Sequence, residues 1–134
     1  MLKGSCLCGS VRYRYEGSAE TLSMCHCRRC QKAQGSAFVA VVPMATEAFT
    51  LLSGAQALGR FESSPGKFRV FCRECGSPLW SEREDRPKVK RVRAGTIDDP
   101  IAPAIVFHAF VVEKADWLPL SDGLPQYHEW PESH

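Results

Sequence analysis

The chain is expected to be mainly β, and two observations carry that expectation. No segment of about 12 residues keeps the period of apolar positions that a buried helix needs. Short runs that alternate polar and apolar, or are continuously apolar, recur along the chain between glycine, proline and serine punctuation.

In chain order, Ser10–Tyr15 alternates as Ser-Val-Arg-Tyr-Arg-Tyr between Gly9 and Gly17, which predicts a strand with one buried face. Thr21–Met24 is a second short strand leading into a cysteine triplet. Gln31–Gln34 is expected to complete a helical turn that Gly35 ends. Ala37–Val42 is continuously apolar and reads as a buried strand stopped by Pro43. Phe49–Leu52 and Ala57–Glu62 read as two further strands with Ser53-Gly54 between them. Lys67–Cys72 alternates with Phe68, Val70 and Cys72 on one face, and Pro78–Ser81 leaves the next turn. Residues 67–82 should therefore form a hairpin whose tip carries Cys72 and Cys75, a common zinc half-site. The charged stretch 82–93 is read as a solvated loop running into a strand at Val89–Ala94. Ile105–Val112 is the last apolar run, interrupted by His108, and the tail from Asp122 should be irregular.

At 134 residues the chain has the length of one domain, taken as residues 1–134. Its 44% hydrophobic and 24% charged residues are those of a soluble globular protein, and no apolar run is long enough to cross a bilayer. A net charge of +2 is too small to argue for nucleic acid or a membrane surface as partner. The opening residues Met1–Cys6 lack a signal peptide's apolar segment, which predicts a cytoplasmic protein.

Seven cysteines are many for such a chain, and the number is odd. In a reducing compartment they are metal ligands or reactive thiols sooner than disulfides. They fall as Cys6-Leu7-Cys8, as Cys25-His26-Cys27-Arg28-Arg29-Cys30, and as Cys72-Arg73-Glu74-Cys75. These spacings suit chelation of a borderline-soft cation such as zinc from tight turns. Two divisions are open. A zinc-ribbon arrangement would join Cys27 and Cys30 to Cys72 and Cys75. The other joins Cys6 and Cys8 to Cys72 and Cys75 as a closed four-thiolate site and leaves Cys25, Cys27 and Cys30 as a three-ligand site with one position open. The second is preferred, because it uses each cluster whole and ties the N-terminal segment across a long loop, where a crosslink most restricts the unfolded chain.

Gly4–Val11, Cys25–Cys30 with Gly35, and Phe71–Ser77 resemble the glutathione-dependent formaldehyde-activating enzyme family, which also includes centromere protein V. The segments Val106–Trp117 and Asp122–Tyr127 are similar to its C-terminal end. The resemblance implies a small β-tent of antiparallel sheets crosslinked by two zinc ions. One would be structural on Cys6, Cys8, Cys72 and Cys75, and the second would sit on Cys25, Cys27 and Cys30 and be open to a thiol substrate. Leu7 stands where the family often has histidine; the position lies between ligands and need not be one.

A zinc ion held by three thiolates is a weak Lewis acid for water, so hydrolysis is its less natural use. Accepting a fourth thiolate beside an electrophile suits it better. The expected activity is that of a zinc-dependent carbon–sulphur lyase of the S-(hydroxymethyl)glutathione synthase type, acting on the adduct of glutathione or another thiol with a small aldehyde such as formaldehyde. The competing expectation is a non-catalytic zinc module that binds a macromolecule. Arg28, Arg29 and Lys32 are candidates to offset the site's negative charge and to meet glutathione's carboxylates, against the plainer reading of solvated surface charges. His26 is a candidate fourth ligand, with a supporting or exposed role as the default. His108 reads as a hydrogen-bonded core residue that the resemblance raises to a pocket candidate. Trp80 and Trp117 are expected to pack, while Ser36, Phe38 and Phe61 are candidate cleft residues.

Overall fold

The structure is a computed structural model that describes residues 1–132. Its strands are β1 (Leu2–Ser5), β2 (Arg12–Tyr15), β3 (Thr21–Cys25), β4 (Val39–Ala45), β5 (Phe49–Ser53), β6 (Leu58–Ser64), β7 (Lys67–Cys72), β8 (Pro78–Arg83), β9 (Val89–Arg93) and β10 (Ile105–Ala109). Among the described residues, one helix, α1 (Arg28–Gln34), and four short 3-10 turns complete the regular structure. The mainly β expectation is borne out. A three-stranded sheet runs in the order β1-β2-β5, and a seven-stranded sheet in the order β10-β3-β4-β9-β8-β7-β6. Pairing is antiparallel except between β10 and β3, which run parallel with His108 opposite Met24 and Ala109 opposite Cys25.

The period-2 alternation of the strands decides where the core lies. Val42 and Met44 of β4, Val70 of β7, Trp80 of β8 and Val92 of β9 share one face of the large sheet and pack with Tyr13 and Tyr15 of β2. All are buried, and each such side chain contributes about 1.5–3 kcal/mol of hydrophobic stabilisation. The alternate positions of the same strands, Val41, Arg69, Ser81, Arg91 and Arg93, line a cavity instead.

Several boundaries depart from the sequence expectations. β1 was not anticipated, since Lys3-Gly4-Ser5 has too little apolar character to signal a strand; it forms by pairing in register with β2. Pro43 lies inside β4 and does not stop it. Pairing with β3 covers only Val39–Val41, so the remainder of β4 is paired on the β9 side alone, where a residue without an amide proton is tolerated. The last apolar run leaves β10 after Ala109, because Phe110 takes left-handed backbone (φ 57°) and Val111–Glu113 form a 3-10 turn. The helix starts three residues earlier than expected, inside the cysteine triplet, and ends as expected at Gly35 (φ 62°). The tail from Asp122 is irregular apart from one bridge, Gln126 beside His108; Ser133 and His134 lie outside the described residues. No helix among the described residues is long and apolar enough to cross a membrane.

Gly4 is opposite Tyr13 in the β1–β2 ladder, and the tyrosine ring folds across it. A Cβ at Gly4 would stand 2.1 Å from Tyr13 Cζ. The ring cannot move away freely: it is fully buried, stacks on Phe49 with centroids 5.0 Å apart, and its hydroxyl lies 2.7 Å from Thr96 Oγ1. Burial also pushes the phenol's pKa up to about 12. Gly4→Ala is expected to cost about 1–3 kcal/mol by overpacking, read as a lower denaturation midpoint with an unchanged slope; an unchanged midpoint would show that the small sheet repacks.

Candidate functional site

Two turns of similar construction face each other at one end of the molecule. In each, a cysteine is followed by a left-handed glycine and a serine: Cys8-Gly9-Ser10, with Gly9 at φ 82°, and Cys75-Gly76-Ser77, with Gly76 at φ 79°. The glycines allow the chain to reverse, so that Gly9 N–H donates to Cys6 O (3.1 Å) and Gly76 N–H to Cys72 O (2.8 Å). Leu7 N–H donates to Ser77 Oγ (2.9 Å) and joins the two turns directly. The sulfurs of Cys6, Cys8, Cys72 and Cys75 consequently all lie within 4.8 Å of one another.

These distances test whether zinc fits. Cys6 Sγ is 3.6 Å from Cys8 Sγ, and Cys8 Sγ is 3.9 Å from Cys72 Sγ. Four sulfurs placed tetrahedrally about zinc at about 2.3 Å stand about 3.8 Å apart. The donor set and its spacing fit that ion. Supporting polar contacts are in place, with Val11 N–H donating to Cys6 Sγ (3.3 Å) and the Ser10 and Ser77 hydroxyls each 3.3 Å from a cysteine sulfur. Hydrogen bonds from the Ser77 hydroxyl and amide hold the Cys75 thiol down to about 5, whereas burial pushes Cys72 up to about 11.

The second group is built at the end of β3. Cys25 is the last residue of the strand, Cys27 is the N-cap of α1, and Cys30 lies in its first turn. Capping turns the Cys27 sulfur inward to accept from Cys30 N–H (3.4 Å). All three sulfurs lie within 4.8 Å of one another, and among the described residues no further His, Cys, Asp or Glu joins them. Crowding splits their acidities: the sulfurs of Cys25 and Cys27, and then the charge of Arg69, pull the Cys30 thiol far down, while its neighbours push Cys25 far up. Three inward-facing sulfurs fit a zinc ion that keeps one position open.

This triplet opens on a cavity of about 460 Å³. Val39 and Val41 of β4 form its apolar floor beside Cys25, and Arg28, Arg29, Phe110, Glu113 and Trp130 stand around it. Its opposite wall, from β7 to β9, carries Lys67, Arg69, Ser81, Arg91 and Arg93. Arg69 Nη2 is 3.8 Å from Cys30 Sγ. Arg93, only 5% exposed, donates to Ser81 Oγ (3.3 Å) and Arg91 O (3.1 Å), and Arg91 stacks over Trp130. Burial, reinforced by the neighbouring Arg69, pulls Lys67 below its ordinary pKa and Arg93 down to about 10.

Behind the triplet runs a chain of hydrogen bonds that begins at buried His26 and His108 and ends at exposed Asp122. His26 Nε2 is 2.8 Å from His108 Nδ1, and His108 Nε2 is 2.7 Å from Asp122 Oδ2. Gln31 Nε2 donates to the carbonyls of His26 (2.7 Å) and Glu113 (2.9 Å), which fixes the start of α1 against the turn after β10. The completely buried His26 ring also packs on Phe38.

The structure brings together the two cysteine groups of the preferred division. Of the expected cations, exposed Arg28 and Arg29 line the cavity and Lys32 does not. His108 is turned toward His26 and Asp122, away from the cavity lining, and His26 is not among the sulfur-site ligands. Trp80 packs in the core and Trp117 is 71% exposed; Ser36, Phe38 and Phe61 do not line this cavity. Sequence reading missed Lys67, Arg69, Arg91 and Arg93. Their signal was the alternation itself: they occupy positions opposite Phe68, Val70 and Val92, and residues read as a solvated approach are a cavity wall.

A model of the glutathione-dependent formaldehyde-activating enzyme family matches residues 1–113. A curated protein of Halomonas elongata, provisionally named a glutathione-dependent formaldehyde-activating enzyme, is 31% identical over 127 residues, 88% of this chain and 80% of that protein. An uncharacterized lyase of Schizosaccharomyces pombe is 30% identical over 78 residues, 58% of this chain and 55% of that protein. The crystal structure of a Rhodobacter sphaeroides protein shares the fold, with a TM-score of 0.62 at 19% identity over 78% of this chain and 98% of that one. With its family model covering both cysteine groups, the chain belongs to the glutathione-dependent formaldehyde-activating enzyme family.

Proposed function

We propose that the chain is a zinc-dependent carbon–sulphur lyase that makes or breaks the S-hydroxymethyl adduct of a thiol, with glutathione and formaldehyde, the pair named by the family, as first candidates. The observation that carries the reading is the three-sulfur group of Cys25, Cys27 and Cys30 opening on a cavity, while the other group already offers four sulfurs. A lyase name on a second relative supports the reaction class. A module that only bound a macromolecule would have no use for a recessed three-donor site.

Zinc on the triplet would supply one thing: a fourth coordination position that lowers the pKa of an incoming thiol. The chain's own residues do the remainder. Val39 and Val41 keep the floor of the cavity apolar and limit water there, and Arg69 beside Cys30 offsets thiolate charge. In the synthetic direction the thiol sulfur bonds to the aldehyde carbon, the carbonyl π electrons pass to oxygen, and that oxygen takes up the proton the thiol lost. The lyase direction reverses each transfer.

Elemental analysis should find two zinc ions per chain. Cys27→Ser should remove saturable glutathione binding in a calorimetric titration and leave the circular dichroism of the fold in place. Glutathione binding that survives in this variant would end the proposal.

Cys72→Ser tests the other site. Structural zinc contributes on the order of 10 kcal/mol in small metal-dependent folds, so this variant should be largely unfolded and the chelator-treated wild type should behave like it. A cooperative melt in Cys72→Ser comparable to that of Cys27→Ser would show that the two sulfur groups do not divide structure from chemistry.

A further inference from the structure

Three lysines of the chain are half-buried: Lys67, Lys90 and Lys114. Lys90 donates to Glu82 (2.9 Å), and Lys114 donates to the carbonyls of Ala115 (3.1 Å) and Leu118 (2.9 Å). Such contacts are what an ammonium group needs when part of its water is taken away. Lys67 has none: among the described residues its amine makes no hydrogen bond and no ion pair.

Lys67 begins β7 and stands where two cavities meet, that of the sulfur triplet and a smaller one of about 150 Å³. Most charges facing it have its own sign. Arg69, Arg91 and Arg93 share the larger cavity with it, as do exposed Arg28 and Arg29. Arg86 shares the smaller, together with Arg83, its partner across the β7–β8 ladder, which is paired with Asp85 (2.8 Å). Of the opposing groups, Glu113 in the larger cavity accepts from Arg28 N–H (3.0 Å), Glu84 beside Gly66 forms no ion pair with Lys67, and the Cys30 sulfur lies by Arg69. Burial, and then the charge of Arg69, pull the Lys67 pKa below its ordinary value, with Cys30 acting the other way. Near neutral pH a larger share of Lys67 is therefore the neutral, nucleophilic amine than is usual for lysine.

We infer that Lys67 is a covalent holding site for the aldehyde, which its amine captures as an imine in the cavity that the sulfur triplet shares. The inference rests on the proposed thiol and aldehyde chemistry of that cavity and adds the group that receives the electrophile. Lys67 and Arg69 lie on one face of β7, about 6.8 Å apart along the strand, and Arg69 Nη2 is 3.8 Å from Cys30 Sγ. Capture needs no reagent beyond the aldehyde. The amine nitrogen bonds to the carbonyl carbon, the π electrons pass to oxygen, and that oxygen takes a proton from nitrogen. It then leaves as water with the second N–H proton while the nitrogen electrons close the C=N bond. Water adding back reverses both steps and frees the aldehyde beside the thiol.

The test treats the zinc-loaded wild type with limiting formaldehyde and cyanoborohydride, which reduces an imine to methyl-lysine, and maps the label by peptide mass spectrometry. At about pH 7, Lys67 should carry most of the lysine label, ahead of Lys3, Lys32, Lys88, Lys90 and Lys114. Its lead should fade as the pH approaches about 10.4, where lysines generally lose their proton. Lys67→Arg keeps the charge and removes the nucleophile, so it should slow adduct formation from formaldehyde and glutathione about tenfold while the calorimetric affinity for glutathione stays the same. Label spread evenly over the lysines, a lead at Lys67 that does not fade with pH, or an unchanged rate of adduct formation in Lys67→Arg would overturn the holding site. Each of these outcomes leaves the thiol-accepting triplet standing. Preferential label at Lys67 in a protein that binds no thiol would keep the holding site and overturn the thiol reading instead.

Discussion

The convergence of four sulfurs from turns far apart in sequence is the constraint on which the remaining structure depends. Cys8 and Cys72, 64 residues apart, bring their sulfurs to 3.9 Å. The two turns have few apolar residues to hold them together: Leu7 is 86% exposed, and besides sulfur the direct links are two hydrogen bonds, from Leu7 N–H to Ser77 Oγ and from Ser10 Oγ to Glu74 Oε2 (2.7 Å). Crowded thiols repel once ionised, and a cation held among them would turn that repulsion into a crosslink. Closing so long a loop removes conformational freedom from the unfolded chain, which is where a small protein with short strands gains most from a crosslink.

Once that end is fixed, each central strand serves two purposes by alternation. Val70, Trp80 and Val92 go into the core, while their neighbours Arg69, Ser81, Arg91 and Arg93 go into the cavity. The same register therefore carries the core and the cavity wall. A one-residue slip in β9 would put arginines between the sheets and valine beside the thiols, so the packing that stabilises the fold also fixes the cations of the site.

Much of this was legible in the sequence, and what was not has physical reasons. The cysteine spacings disclosed both sulfur groups, because chelation from turns leaves short, fixed intervals. The β7–β8 hairpin and the Gly35 helix end were equally plain, each set by local chemistry. β1 was not, since a strand whose glycine lies under a tyrosine ring carries no apolar pattern of its own. Pro43 misled because its tolerance depends on where β3 stops pairing, a fact of tertiary structure. The His26–His108–Asp122 chain spans 96 residues of sequence and depends on the parallel β10–β3 pairing, which no local signal announces. Arg91 and Arg93 were read as solvated because charge density ordinarily marks surface; only the cavity opposite them shows why charge was placed inward.

That inward charge also distinguishes the two sulfur groups, each of which could hold a metal ion. Around the four-sulfur group, the polar neighbours are hydroxyls and amides, groups that stabilise thiolates without adding charge, and every coordination position is filled by the chain. Around the triplet the neighbours are guanidinium and ammonium groups, and one position is left over. Neutral donors suit a site whose charge never changes. Full cations suit the role proposed for the triplet, admitting a further anion and releasing it, because their mutual repulsion is relieved when an anion enters. On the proposed reading, the fold bears that cost at the triplet because the core and the other sulfur group supply stability that does not depend on a bound thiol.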